Sequence, residues 1–278
     1  MYSYEVKKFG VIIIESLNES DRKTGKILND ELLTYKKIYE PNLTSEFYEV
    51  RSKKQLLKLL KFIIWQIVND KFFPILHIEM HGYNDGLALN NGDKISWSEL
   101  MPFFRQINYL IKNLLVIHLG VCFGMSMIQY IRPDKRAPFR SIIGGAKIIT
   151  TGQVEDGFHA FYDHFFFSLD TVESIKKLQE VIGGNEIGLV SISYCYNKIT
   201  IPDFNSDIWK PRLKQMAILK KNQTRILKNM PLKSVEKLVQ IEVGKIFSDI
   251  RKKEDYFFMR DIIDEKKNNL ISLDKQDD

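Results

Sequence analysis

Three runs in this chain are apolar almost without a break: Val11 to Ile14, Pro74 to Met80 and Leu114 to Gly120. A strand that shows one face to water alternates apolar and polar side chains. A run without that alternation belongs to a strand covered on both faces. Between the first two runs, Leu56, Leu57, Leu59, Leu60, Ile63, Ile64 and Ile67 recur at helical spacing, with Ser52 placed to cap the helix and its end expected near Asn69-Asp70, ahead of Pro74. Buried strands joined through helices need crossover connections, and these build a parallel sheet.

The remaining segments extend this pattern. Phe47 to Val50 reads as a second strand, whereas 17–45 shows no convincing periodicity and reads as irregular. Residues 86–97 alternate around Asn90-Asn91-Gly92-Asp93, a hairpin signature, and Ser98 is placed to cap a helix running to about Asn113. Residues 124–131 read as helix, 141–151 as strand, 155–169 and 171–182 as helices, and 187–196 as a last strand. From about Ile208 the strand signals vanish. The segment 208–270 is Lys-rich and helical in pattern, punctuated by Pro211 and Pro231, and 271–278 is expected to fray. The expected fold is α/β: a three-layer sandwich with a mostly parallel sheet and helices on both faces, over 1–204, followed by a helical C-terminal region over 205–278.

The formal net charge is +6, but the lysines are scattered among acidic residues, which predicts a solvated surface and not a nucleic-acid partner. Nucleic-acid binding by the 208–270 helices would require their basic residues to gather on one face. With only two cysteines, Cys122 and Cys195, the chain is no disulfide scaffold, and a reducing cytoplasm is the expected setting. The apolar run Val11 to Ile14 is too short for a signal peptide or a membrane span, so no membrane partner is expected.

Two of the apolar runs deliver a reactive side chain at or just beyond their C-terminal ends: His81 after the second, Cys122 after the third. Open α/β sheets carry their sites at that edge. A thiol becomes a nucleophile when an imidazole takes its proton, and an oxyanion then needs backbone N–H donors, which Gly82 and Cys122 can supply. Taken singly, a cysteine ending an apolar strand is usually an inert small hydrophobe, and a loop histidine is usually structural. Their ordered occurrence, each beside glycine, favours chemistry. His77 and His118 lie inside strands and read as core. His159 and His164, at i and i+5, do not share a helix face well enough to bind metal, and no metal or cofactor is expected. Cys195 reads as buried in the last strand. Asn84 and Asp85 either line the cleft or serve the turn, and the cluster Phe158, Phe161, Tyr162, Phe165, Phe166 and Phe167 reads as helix core.

The blocks HIEMHGYNDGLALNNGDKISWSEL (77–100) and LLVIHLGVCFG (114–124) resemble the His-Gly and Cys blocks of clan CD cysteine peptidases. Within that clan, GGAKIITTGQVEDGFHAFYDHFFFSLDTVESIKKLQE (144–180) is similar to the CHAT family, bacterial caspase-like proteases related to separase. The resemblance covers about residues 10–200. It implies a caspase-like fold with Cys122 as nucleophile, His81 as general base or ion-pair partner, and the Gly82 amide in the oxyanion hole. In separase-like members an acidic residue in the turn matching 152–156 holds a basic side chain before the cut; Asp156 matches best and Glu155 second, while Gln153 departs from the acidic pattern. The block Gly120 to Gly124 lacks the Gln and Arg of the caspase Gln-Ala-Cys-Arg-Gly block, which argues against cleavage after Asp. The resemblance further implies a cytoplasmic, signal-activated endopeptidase acting on protein substrates, as in bacterial anti-phage systems, switched by a small nucleotide or a partner protein. The runner-up is a non-catalytic module that binds such a signal or partner through the same cleft. The C-terminal helices would then cap the sheet or regulate it.

Overall fold

Val11 to Ile14 occupy the centre of β1 (Lys8–Ser16), and all four are fully buried, as a strand covered on both faces requires. In the computed structural model, which describes residues 8–39, 43–207, 209–223 and 225–263, β1 is flanked in parallel by β2 (Leu43–Glu49) and β3 (Phe72–Tyr83). Two short strands, β4 (Gly86–Ala88) and β5 (Lys94–Ser96), form a hairpin on the end of β3. β6 (Val116–Leu119) pairs in parallel with β3, β7 (Ser141–Gly145) pairs in parallel with β6, and β8 (Ile187–Ser191) runs antiparallel to β7. The main sheet therefore reads β2-β1-β3-β6-β7-β8.

Side chains alternate across this sheet and fill two layers. One face carries Val11, Ile13, Leu43 and Ile143 against Leu28, Leu33, Phe158, Phe161, Tyr162 and Leu178. The helical residues of that layer come from a run over 24–39 and from α5 (Thr151–Ser168) and α6 (Thr171–Ile182). The alternation turns Ile12, Ile14, Leu76, Ile78 and Ile117 the other way. There α3 (Lys53–Asp70) packs on β3 and on α4 (Trp97–Leu110), burying Leu56, Leu60, Ile63, Phe104 and Ile107. Ser52 caps α3 by accepting from the Gln55 N–H, and the helix ends at Asp70 as its sequence predicts. The protein is thus α/β, with a mostly parallel sheet between two helical layers.

Several segments differ from the sequence reading, among them β2, which runs from Leu43 to Glu49 and not over 47–50. The stretch 17–45 is largely helical: α1 (Thr24–Leu28), a π-helical turn (Asn29–Leu33) and α2 (Thr34–Tyr39). The π turn shifts the phase, so Leu33, five residues after Leu28, is buried beside it where an α-helix would turn it away, and Lys23 leaves α1 without a side-chain cap. α4 is capped by Ser96, not Ser98, because only Ser96 has a glutamate three residues on to complete a capping box with Glu99. It ends at Leu110, short of the left-handed Lys112 and Asn113. β7 stops at Gly145, and α5 starts at Thr151, where Thr150 and Gln153 form a second capping box. Residues 124–130 are a 3-10 helix. β8 ends at Ser191 and α7 (Ile192–Thr200) follows, so Cys195 is helical; Ile192, Cys195 and Tyr196 are buried at i, i+3 and i+4, a spacing that a strand reading of ISYCY overlooks.

The chain divides into two compact units, 1–132 with 137–192 and 133–136 with 193–278. The second is helical: α8 (Trp209–Gln223), a 3-10 turn (Arg225–Asn229), α9 (Leu232–Arg251) and α10 (Glu254–Phe257). Its core is Leu213, Ala217, Val235, Val239 and Val243. Arg136 forks onto the Asp261 carboxylate at 2.7 and 2.8 Å and lies over the Tyr256 ring. Residues 271–278 lie outside the described residues. No described helix is long and apolar enough to cross a membrane.

Candidate active site

β3 continues past the parallel sheet and changes partner as it leaves. Its parallel pairing ends with Met80 opposite Ser16 and Ile78 opposite Leu119; His81 and Gly82 then pair antiparallel with Ala88 and Leu87 of the hairpin. His81 and Gly82 are therefore strand residues, not the loop residues that their His-Gly sequence leads one to expect, because β4 supplies the missing ladder. Next to them, the chain leaves β6 through Gly120, whose N–H donates to the Ile78 carbonyl at 2.9 Å. Cys122 follows and is half-buried. Phe123 adopts left-handed backbone (φ 57°), with its N–H on the Lys147 carbonyl at 3.0 Å, and turns the chain sharply into the 3-10 helix.

The backbones of the two blocks touch. A Cβ placed on Gly82 would lie 2.0 Å from the Cys122 carbonyl oxygen, so only glycine lets the chains approach this closely. Both His81 and Cys122 line one cavity of about 300 Å³, together with Asp21, Glu79, Gly120 and Ile149. The Cys122 thiol lies 3.6 Å from the Ile149 carbonyl oxygen, at the reach of a weak S–H donor. The His81 ring is 56% exposed, open to a ligand, and its Nε2 lies 2.9 Å from Asp21 Oδ2 and 3.3 Å from Asn18 Nδ2. Burial pushes the Asp21 carboxyl up, but hydrogen bonds from His81 and the Asn18 N–H outweigh it and hold the group below its ordinary value.

A buried polar chain runs beneath this cavity. Glu79, 2% exposed, accepts from His77 Nε2 at 2.7 Å and from the Thr24 hydroxyl. The Tyr162 hydroxyl lies 3.3 Å from His77 Nδ1 and 2.6 Å from His118 Nδ1. Glu15 stands opposite Glu79 in the β1–β3 register and accepts from the N–H groups of Gly25 and Lys26 at 3.0 and 3.2 Å. Burial raises the Glu15 carboxyl above its ordinary value and the charge of Glu79 adds to this, while those two N–H bonds act against it. Burial, with His77 beside it, holds His118 well below the usual imidazole range. His77 and His118 are core residues of this network.

The residues that the family resemblance pairs with a basic side chain are elsewhere. The segment 152–156 is the start of α5 and not a turn; Gln153 serves its cap. Glu155 is occupied by Arg22, whose guanidinium forks onto both carboxylate oxygens, and Asp156 is exposed; neither lines the cavity, although Arg22 does. Asn84 and Asp85 serve the turn: the Asp85 carbonyl accepts from the Trp97 N–H at 2.8 Å and its carboxylate from the Tyr130 hydroxyl at 3.2 Å. His159 is exposed and His164 half-buried on α5, and no described cluster of three metal-ligating groups exists. Of the aromatic run, Phe158, Phe161, Tyr162 and Phe166 are core, whereas Phe167 is 86% exposed.

Asp21 and Glu79 are the carboxylates of the cavity, and sequence reading passes over both. Glu79 has a legible signal, as the one acidic residue inside an otherwise apolar strand. Asp21 has none, because its stretch shows no periodicity. No family model matches the chain, and no curated protein matches its sequence. Among solved structures the chain is similar to the crystal structure of the Drosophila initiator caspase Dronc, with a TM-score of 0.48 and 13% identity, over 68% of this chain and 81% of that one.

Proposed function

We propose that this chain is a caspase-like cysteine endopeptidase, with Cys122 as nucleophile and His81 as its acid–base partner. The observation that carries the reading is the convergence of both side chains on one cavity, with the Gly82 backbone packed against that of Cys122. Cys122 Sγ loses its proton to His81 and attacks the scissile carbonyl carbon, forming a C–S bond and an oxyanion. The N–H groups of Gly82 and Cys122 face that oxyanion in the proposed arrangement. His81 returns the proton to the leaving amine as the C–N bond breaks, and water then hydrolyses the thioester.

A basic side chain before the cut is the preference that the cavity supports. Two carboxylates line it, Glu79 engaged by His77 and Asp21 by His81, and its one cation among the described residues, Arg22, is paired with Glu155, so the support is the net acidic lining and not a free carboxylate. The sequence resemblance assigns the basic side chain to Asp156 or Glu155, and Glu155 already holds an arginine of this chain. Membership in the CHAT family and activation by a nucleotide or partner protein in anti-phage defence rest on the sequence blocks, and a cytoplasmic setting on the two-cysteine content. A peptide-library cleavage profile of wild type against Cys122→Ala tests the reading. Cleavage after Arg or Lys by the wild type only is expected. Equal cleavage by both proteins sinks it, and a wild type that neither cleaves nor reacts with a peptidyl electrophile favours the non-catalytic module.

A further inference from the structure

His81 has one ring nitrogen already engaged, and the partner comes from a stretch that no motif covers. We infer that Asp21 is a positioning residue for His81: it holds the imidazole with its proton on Nε2 and leaves Nδ1 as the nitrogen that takes the thiol proton. This deepens the peptidase reading and rests on it.

The contact itself selects the tautomer. A neutral imidazole carries one proton, and an ionised carboxylate only accepts. At 2.9 Å, Nε2 and Asp21 Oδ2 make a hydrogen bond only if the proton sits on Nε2. The competing arrangement has Nε2 accepting from Asn18 Nδ2 at the longer 3.3 Å. It would set the Nε2 lone pair against the carboxylate oxygen, which is repulsive. The lone pair therefore resides on Nδ1. When His81 accepts a second proton, the imidazolium formed lies beside a negative charge, and that contact stabilises the charge-separated state as it develops.

Asp21 is also held in place before any substrate arrives. The Asn18 N–H donates to the same Oδ2 at 2.8 Å, and the Asp21 N–H donates to the Asn18 carbonyl at 3.0 Å, so the two residues close a turn on each other. Lys23 Nζ ties the turn down by donating to the carbonyls of Leu17 and Asn18 at 2.6 and 2.8 Å. The turn follows β1 directly, and the last β1 residue, Ser16, pairs with Met80, the neighbour of His81. The sheet register thus delivers the carboxylate to the imidazole. The hydrogen bonds that hold Asp21 below its ordinary pKa keep it ionised through the neutral range.

Nitrogen-15 NMR of the histidine rings at neutral pH reads the tautomer directly, in the intact chain and without a substrate. The expected result is an Nε2–H ring for His81 in the wild type, assigned by its loss in His81→Ala, and a mixed or Nδ1–H ring in Asp21→Asn. The second readout is the iodoacetamide alkylation rate of Cys122 against pH. Asp21→Asn is expected to lower the rate near neutrality about tenfold or more, with Asp21→Glu recovering part of it and melting temperatures unchanged. An Nδ1–H ring in the wild type overturns the inference whether or not the variants fold. Alkylation by Asp21→Asn within threefold of wild type overturns the positioning role alone. A wild-type Cys122 no more reactive than in His81→Ala overturns the peptidase reading and the positioning role together.

Discussion

Replacing Gly82 by alanine puts a methyl carbon 2.0 Å from the Cys122 carbonyl oxygen, 3.0 Å from its carbonyl carbon and 3.1 Å from its nitrogen. Ordinary contact begins at 3.4 Å, so the two backbones must part by about 1.4 Å along the closest approach. Neither side gives easily. Gly82 is paired with Leu87 in the hairpin ladder, and Cys122 lies between two anchored residues, Gly120 on Ile78 and Phe123 on Lys147. Overpacking of a well-packed site costs about 1–3 kcal/mol. At roughly 2–4 °C per kcal/mol for a unit of this size, the melting temperature should fall by about 2–12 °C. The larger effect is on chemistry, since a displacement of about 1 Å between reacting groups costs on the order of 100-fold in rate. Peptide cleavage and iodoacetamide labelling of Cys122, measured beside the melting curve below the melting temperature, check both numbers. A Gly82→Ala protein that labels and cleaves within threefold of wild type and melts with it would refute the close approach and the site built on it.

The same substitution at Gly152 is the control: a Cβ there meets nothing within 4 Å in the first turn of α5, so Gly152→Ala should leave activity intact and stabilise by about 0.5–1 kcal/mol, read by urea denaturation. Glu15→Gln keeps the oxygen that accepts from Gly25 and Lys26 but removes a charge facing Glu79. Because the folded carboxyl is raised above its ordinary 4.5, the native state favours its protonated form; stability is full below that value and lost as pH rises through the folded pKa. Glu15→Gln should therefore melt higher than wild type at pH 8 and lose this advantage at pH 4, and a lower melting temperature at pH 8 would contradict the assignment. Burial pushes the Cys195 thiol up to about 11, so alkylation at pH 7 followed by mass spectrometry should modify Cys122 and spare Cys195 in the folded protein. Arg22→Ala should free Glu155 and strengthen binding of basic peptides at low salt, with unchanged affinity counting against the acidic reading of the cavity.

The inner strands β1, β3 and β6 were legible because they are buried on both faces, which leaves an apolar signature in any window, whereas the bounds of the half-buried edge strands β2 and β8 were not. α3 was legible to within about a residue because Ser52 caps its start and Asn69-Asp70, ahead of Pro74, mark its end. The helical run over 24–39 was not, since its π turn breaks the period by which helices are recognised. Strand-end placement exposed His81, Gly82 and Cys122, as that placement is a property of short segments. The contacts of Asp21 and Glu79 depend on how β1 and its turn register against β3, and a window of neighbouring residues carries no register. The acidic pair at 155 and 156 shows the converse: residues matched to a motif by position sit on a helix whose cap, Thr150 with Gln153, fixes a different geometry.

The change of partner in β3 divides one strand into two mechanical segments. Up to Met80 it is a beam of the sheet; from His81 it is one arm of a hairpin. That hairpin has fixed ends of its own, with the Asn90 N–H on the Ser16 hydroxyl at 3.0 Å and Asp93 accepting from the Lys53 N–H at 3.0 Å. The tip at residues 90–93 is thus joined to His81 through Ala88, to Gly82 through Leu87, and to β1 through Ser16. The hairpin is therefore tied to the imidazole through Ala88 and, because the Gly82 backbone packs against that of Cys122, to the residue that carries the thiol as well.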